Sequence, residues 1–486
     1  MIAYGRDYTD EGEPLPEGLA GRQPKIRSEG YSRTDDGNAL RLTDAYGEVF
    51  RFCPERGRWL RWDGVRWAWD RAGEVRERAR TIARELPSGD KPECAFRLRS
   101  LSAMSISNMV RLAATDAEIV VPLAELDADP WSLNTPSGVV DLRTGAVRRH
   151  APDELVTKMT AYPMGEGDCP RFRAFLAETF GDDEELVAYV QRLLGYSLVG
   201  TVTEHVLPFA FGAGANGKSV LMQIAMTVLG VGDDGYAVSA PSDFLMARSN
   251  AQHPTEIARL KGARLVVCQE VNSGQRFDEA KVKQLTGGDL LAGRFMRMDF
   301  FTFTPSHHLW VVGNHRPEVR DGGPAFWRRV RLVPFDHVVP EERQDRHLAA
   351  KLLEAEGPEI LGWLVDGAVA AVTTGIGEPQ AVLTATTSYE LAEDSVARFV
   401  AETCDVGEPE QPQNRFRVST LRDRYEAWCR EALVEPASAK AFTQRIRDHG
   451  VGEKRDGRAR YYLGIRLRPE DEDAAADAGA DVTGDR

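Results

Sequence analysis

The segment HVLPFAFGAGANGKSVLMQIAMTVLG, residues 205–230, constrains this chain more than any other. Gly212-x-x-x-x-Gly217-Lys218-Ser219 fits the phosphate-loop pattern, and its flanks fit as well. VLPFAF is a short apolar run suited to a buried strand, and Val220, Ile224 and Val228 recur at helical spacing. Gly212, Gly214 and Gly217 let the backbone take conformations closed to other residues. The loop Gly212, Ala213, Gly214, Ala215, Asn216, Gly217, Lys218, Ser219 and Val220 then aims its amides at phosphate oxygens from a helix N-terminus. Lys218 is expected to bridge the β- and γ-phosphates and Ser219 to ligate Mg²⁺.

The segments downstream of this loop fit a nucleotide-hydrolysing site. Arg264 to Val271 reads as an apolar strand ending in Glu270, a carboxylate suited to polarising a water and, beside Ser219, a candidate metal ligand. The usual pair of acids is reduced to Gln269-Glu270. HLWVVGN runs apolar into Asn314, whose neutral amide can hold the lytic water or sense the γ-phosphate. Arg328 and Arg329 precede another apolar strand, and either could reach a site in a neighbouring subunit. Between the carboxylate and the asparagine, Leu291–Thr304 reads as a hairpin with Arg294 and Arg297 near its tip, placed to grip a strand's phosphates. His307 and His308 have no third partner in sequence and read as a polar loop.

In this order, GAGANGKS, LVVCQE, KQLTGGD with its R-F-M-R, WVVGN and WRRVRLVPF resemble a superfamily 3 helicase, and more narrowly the C-terminal half of phage and plasmid primase–helicases, related to the poxvirus primase–helicase. RWLRWDGVRW, LNTPSGVVDLRTG and LLGYSLVG resemble that family's region upstream of the motor, so the likeness runs over about residues 40–465. The resemblance implies a modified AAA+ P-loop ATPase core of α/β class, a homohexameric ring, ATP and Mg²⁺ as ligands, and single-stranded and forked DNA as partners. It implies Walker A at Gly212–Ser219, Walker B ending at Glu270, a DNA hairpin with Arg294 and Arg297, a sensor at Asn314 and a finger at Arg328 or Arg329. Only some 40 residues precede the Trp-rich segment, too few for the primase domain of many relatives, so a separate primase is the expected partner.

Composition bounds the rest. The chain has 486 residues, 42% apolar and 28% charged, ordinary for a globular chain of about three domains. No apolar run reaches the roughly 18 residues of a membrane span, and the N-terminus has no signal-peptide pattern. A location in the cytoplasm of a bacterial host is the expectation. Six scattered cysteines fit neither a zinc site nor a disulfide framework.

Six segments are expected: a disordered leader over 1–38, an α+β Trp-rich region over 39–165, the ATPase over 166–345, a helical lid and linker over 346–387, a winged-helix-like DNA-binding domain over 388–468 and an acidic disordered tail over 469–486. Trp59, Trp62, Trp67 and Trp69 either fill a small β core or stack on bases. Net charge is −14 overall, yet Lys440–Arg468 is +6 beside a −6 tail. In a winged helix, Ser438–His449 would enter the major groove, with Arg445 on it, and Lys454, Arg455 and Arg458 would lie on the wing. Two functions are compatible with these features: a ring-shaped replicative helicase of a phage, prophage, satellite or plasmid, or an origin-binding initiator whose ATPase switches assembly.

Overall fold

The structure, a computed structural model, describes residues 30–247, 254–271, 274–320, 322–407, 414–457 and 459–468, with only the backbone of Glu270 and Val271. Most of the expected leader and all of the expected acidic tail lie outside the described residues. The end of the leader is not a loose segment. Thr34 accepts the Gly37 amide and caps helix α1 (Asp35–Tyr46), and buried Asn38 donates to Ser100 Oγ at 2.9 Å.

Strands β1 (Phe50–Cys53), β2 (Arg58–Trp62) and β3 (Trp67–Trp69) come next as an antiparallel sheet in that order. Gly57 and Gly64 turn the chain at φ of 58° and 101°. Trp62 and Trp67 are core residues, and the Trp67 indole donates to Pro152 O at 2.8 Å. Trp59 and Trp69 are only half-buried. Beyond them lie helices α2 (Glu74–Glu85), α3 (Lys91–Ser100) and α4 (Ala103–Ala113); α2 and α4 pack with α1 through Val75, Ala79, Ile82, Ile106 and Met109. Strands β4 (Ser132–Thr135), β5 (Gly138–Asp141) and β6 (Val147–Arg148) form a small antiparallel sheet, with Gly145 left-handed in the β5–β6 turn.

Helices α5 (Pro170–Phe180) and α6 (Glu184–Tyr196) lead into β7 (Leu207–Phe211), α7 (Lys218–Leu229), β8 (Ala237–Ala240), α8 (Pro254–Ala258), β9 (Leu265–Val271) and α9 (Glu279–Leu285). A hairpin, β10 (Leu291–Arg294) and β11 (Phe300–Phe303), precedes β12 (His308–Gly313), short α10 (Pro324–Trp327) and β13 (Val330–Pro334). The central sheet is wholly parallel, in the order β13-β7-β12-β9-β8. Apolar strands such as Leu309–Val312 are buried on both faces, as a parallel sheet demands. One face is covered by α5, α6, α7 and α11 (Leu348–Thr374), the other by α9, α10 and Tyr389 of α12 (Gln380–Glu393). Helix α11 is kinked at Glu356, two residues before Pro358, and the buried Glu356 carboxylate accepts the Arg171 and Phe172 amides at 2.9 Å each. The stretch after Gly375, expected as linker, is helix from Gln380, because Val382 and Tyr389 belong to the two cores.

The upstream region grips the loop after α7. Lys158 Nζ donates to Asp233 O and Gly235 O at 3.0 Å each, Arg66 donates to Asp234 O at 2.9 Å, and Arg71 pairs with the Asp234 carboxylate.

A separate core begins at Val396. It contains α13 (Ser395–Thr403), β14 (Cys404–Val406), β15 (Arg415–Arg417), α14 (Val418–Glu431), α15 (Ala439–Asp448), β16 (Gly452–Asp456), β17 (Ala459–Leu463) and β18 (Ile465–Leu467). The segment expected as the wing belongs to a three-stranded sheet, β15-β17-β16, and β14 pairs with β18. Among the described residues, no helix is long and apolar enough to cross a membrane.

Candidate functional site

The loop between β7 and α7 is a run of unusual backbone. Gly214 and Gly217 have φ of 112° and 82°, and Ala215 between them has φ of 48°. The last costs an L-residue about 1–2 kcal/mol. Ala215 O accepts Val339 N at 2.8 Å, which fixes that conformation. Gly212 is required by space, since a Cβ there would stand 2.2 Å from Phe335 O. At Gly217 a Cβ would stand 2.7 Å from Thr179 Oγ1 of α5. The loop is thus closely packed by its neighbours Phe335 and Thr179, and only glycine fits at positions 212 and 217.

Lys218 opens α7 and is 3% exposed. Its Nζ donates to Gly212 O at 2.8 Å and Asn216 Oδ1 at 2.7 Å, and Asn216 Nδ2 donates to Phe335 O at 2.7 Å. Burial pushes the Lys218 ammonium down to about 8. The Ser219 hydroxyl is exposed beside it in the first turn, while Val220 is half-buried in the helix.

Strand β12 lies between β7 and β9, so its C-terminal end delivers Asn314 between the loop and Glu270. A Cβ on Gly214 would lie 3.9 Å from Asn314 Nδ2. Opposite Val312 and Gly313, the register steps from Gln269 to Val271 and leaves Glu270 as the extra residue of a bulge. The Glu270 side chain lies outside the described residues.

The two arginines after α10 differ. Arg329 is buried, donating through Nε to Thr286 Oγ1 at 3.1 Å and through its guanidinium to Ala325 O. Arg328 is exposed at the helix end. Of the two, Arg328 alone presents its guanidinium outward.

In the hairpin, Arg297 is exposed at the tip with φ of 63°, and Arg294 lies 4.8 Å from the ring of exposed Phe300. The other side of the hairpin is anchored: Phe295 stacks on Phe301 at 4.9 Å and both pack against the Trp62–Trp67 core. That contact joins residues far apart in sequence and has no signal in spacing.

In the C-terminal unit, Lys454 and Arg455 are exposed on β16, and Arg458 lies outside the described residues. Arg445 does not face solvent. It is 9% exposed, pairs with Asp394 Oδ1 at 3.1 Å, and its guanidinium would be 2.9 Å from a Cβ on Gly322, in the turn before α10. The helical face that buries Phe442 and Ile446 takes Arg445 with it. The outward face of α15 instead carries Lys440, Gln444 and Arg447.

His307 and His308 are buried rather than in a polar loop. His308 Nε2 lies 2.8 Å from Val199 O, and burial holds the rings down to about 4 and about 3. Among the described residues, no group of three His, Cys, Asp or Glu side chains could hold a metal.

Residues 39–181 match a family model described as "D5 N terminal like", and residues 210–329 match a "Family of unknown function (DUF5906)". A protein of Acanthamoeba polyphaga mimivirus named "Putative helicase" is 28% identical over 222 residues, 44% of this chain and 22% of that protein. Its namesake in Frog virus 3 (isolate Goorha) is 28% identical over 258 residues, 49% of this chain and 26% of that protein. The chain thus spans about a quarter of the length of the curated relatives it matches. The apo structure of the NrS-1 C terminal region shares the fold at a TM-score of 0.50 and 10% identity, over 88% of this chain and 99% of that one. With two adjoining family segments, helicase-named viral relatives and this shared mixed α/β fold, the chain resembles the phage and viral primase–helicases.

Proposed function

We propose that the chain is an ATP-driven replicative DNA helicase of superfamily 3, acting as a homohexameric ring in the cytoplasm of a bacterium that carries a phage, prophage, satellite or plasmid. The observation that carries this reading is Lys218, a buried ammonium held by Gly212 O and Asn216 Oδ1 inside a loop of left-handed backbone. On this reading the loop holds the β- and γ-phosphates, Asn314 orients the attacking water and Glu270 accepts its proton. Bound Mg²⁺ would neutralise charge developing on the phosphates. The Ser219 hydroxyl and Glu270 would be its protein ligands, with phosphates and water supplying the rest of its shell. The exposed Arg328 suits a finger reaching into the neighbouring subunit's site. Sheet order supports the modified AAA+ assignment, since the Asn314 strand stands between the loop strand and the Glu270 strand. The hairpin inserted just before β12 would couple that strand's position to Arg294 and Arg297 on DNA. A forked duplex, with strand separation followed for wild type and Lys218→Ala, tests this; equal rates would refute it.

A second reading, an origin-binding initiator, is favoured by the C-terminal unit. Helix α15 with its outward Lys440, Gln444 and Arg447, next to the β16–β17 hairpin, suits a winged helix with α15 in the major groove. Sequence-specific footprints that vanish on removing 394–468, from a protein that separates no strands, would establish it over the first.

A further inference from the structure

Beneath the hairpin, the Trp-rich sheet and the central domain enclose a cavity of about 270 Å³. This is slightly under the roughly 300–1,000 Å³ of sites for drug-sized ligands, so it suits a small ligand or one unit of a polymer. Its chemistry is two-sided. Leu123 and Leu126 make an apolar floor, and the rings of Trp69 and Phe295 border it. Arg56, Arg259 and Lys261 bring three cations to the same space.

Those cations are poorly compensated. Arg56 lies 5.0 Å from the Trp69 ring and 4.1 Å from the Phe295 ring, and its Asp233 partner is 3.7 Å away, longer than a hydrogen bond. Lys261 Nζ reaches Leu126 O at 3.4 Å, and burial lowers its pKa. Arg259 is exposed at the rim. The lining acid Asp127 accepts from Thr157 N at 2.7 Å and Thr157 Oγ1 at 2.5 Å and keeps its negative charge beside Lys261. Four cations (Arg56, Lys158, Arg259 and Lys261) against two carboxylates (Asp127 and Asp233) leave the lining net positive, beside the Trp69 and Phe295 rings. An anion joined to a flat ring system satisfies both halves, which describes a nucleotide. Phe295 directly follows Arg294 on the hairpin, so the cavity opens beside the surface assigned to DNA phosphates.

We propose that this cavity takes one nucleotide of a single DNA strand lying on the hairpin, its phosphate on Arg259, Lys261 and Arg56 and its base against Trp69 and Phe295. The proposal rests on the hairpin being a DNA-binding element. It makes the Trp-rich sheet a contributor to the strand's path as well as a scaffold.

The test uses the full chain and a fluorescent oligo(dT), with anisotropy read across a salt series. Arg259→Ala with Lys261→Ala is expected to weaken binding by about 10-fold or more and lower the salt slope by about 2. Lys261→Arg should retain most of the affinity, and ATPase activity without DNA should match wild type. Oligonucleotides carrying 5-bromodeoxyuridine should photocrosslink to the Trp69 or Phe295 peptides. Unchanged affinity and slope in the double variant, while Arg294→Ala with Arg297→Ala loses binding, would overturn the cavity proposal and leave the hairpin reading standing. If wild type binds no oligonucleotide, the hairpin reading falls first and this one with it. Thymidine monophosphate that shields Lys261 from acetylation, where oligo(dT) does not, would assign the cavity to a free nucleotide and overturn the strand.

Discussion

Lys218 Nζ is held 2.7 Å from Asn216 Oδ1, and the other end of that amide is tied to Phe335 O. The ammonium is thereby parked in a preformed seat. With its folded pKa near 8 and an ordinary value of 10.5, the free protein binds fewer protons here than the unfolded chain between those limits. This group therefore makes stability rise as pH climbs from 8 towards 10.5. An arriving polyphosphate restores the charge, so nucleotide binding at pH 8.5–9 should take up a proton. Titration calorimetry in buffers of different ionisation enthalpy should show it, and Lys218→Ala should abolish the buffer dependence. Buffer-independent heats in wild type would refute the assignment.

Arg328 and Arg329 should separate cleanly. Arg328→Ala is expected to lower ATP hydrolysis by on the order of 10³-fold with an unchanged melting temperature. Arg329→Ala removes the buried bonds to Thr286 and Ala325, at a cost of about 1–3 kcal/mol, and should melt earlier. Mixing Arg328→Ala with Lys218→Ala protein should restore part of the hydrolysis if the arginine acts across subunits. The opposite pattern of melting and activity would reverse the two roles.

The C-terminal arginines divide in the same way. Lys454→Ala with Arg455→Ala should weaken duplex binding and lower the salt slope by about 2. Arg445→Ala should leave that slope unchanged and loosen the contact with the turn before α10, seen as faster amide exchange around 318–323. A salt slope that fell with Arg445→Ala would put that residue back on DNA.

His307 and His308 should make the fold acid-sensitive. Their folded pKa values, about 4 and about 3, lie below the ordinary 6.5. Their contribution is fully present above pH 6.5 and is lost as pH falls from there towards 4. Melting temperature measured over pH 4–7 should fall less steeply in a His308→Gln variant. An identical slope would exclude these rings as the cause.

Several features were legible because chemistry dictates their spacing. The loop Gly212–Ser219, its strand and its helix follow from glycine and apolar spacing, and the place of Asn314 from an apolar strand that stops. Arg328 and Arg329 were equivalent in sequence, since adjacency does not reveal which one finds Thr286. Arg445 was misplaced because net charge does not disclose which arginine meets an acid 51 positions away. The cavity residues Arg56, Lys261 and Phe295 stand on three distant stretches, and only the folded chain gathers them.

Helix α7 begins with Lys218 and runs into the loop fastened by Lys158, Arg66 and Arg71. Its 12 residues make a rod about 18 Å long. A rod secured at its far end cannot shift at one tip alone. A tilt of α7 would therefore be passed, through those contacts, to the tryptophan-bearing sheet.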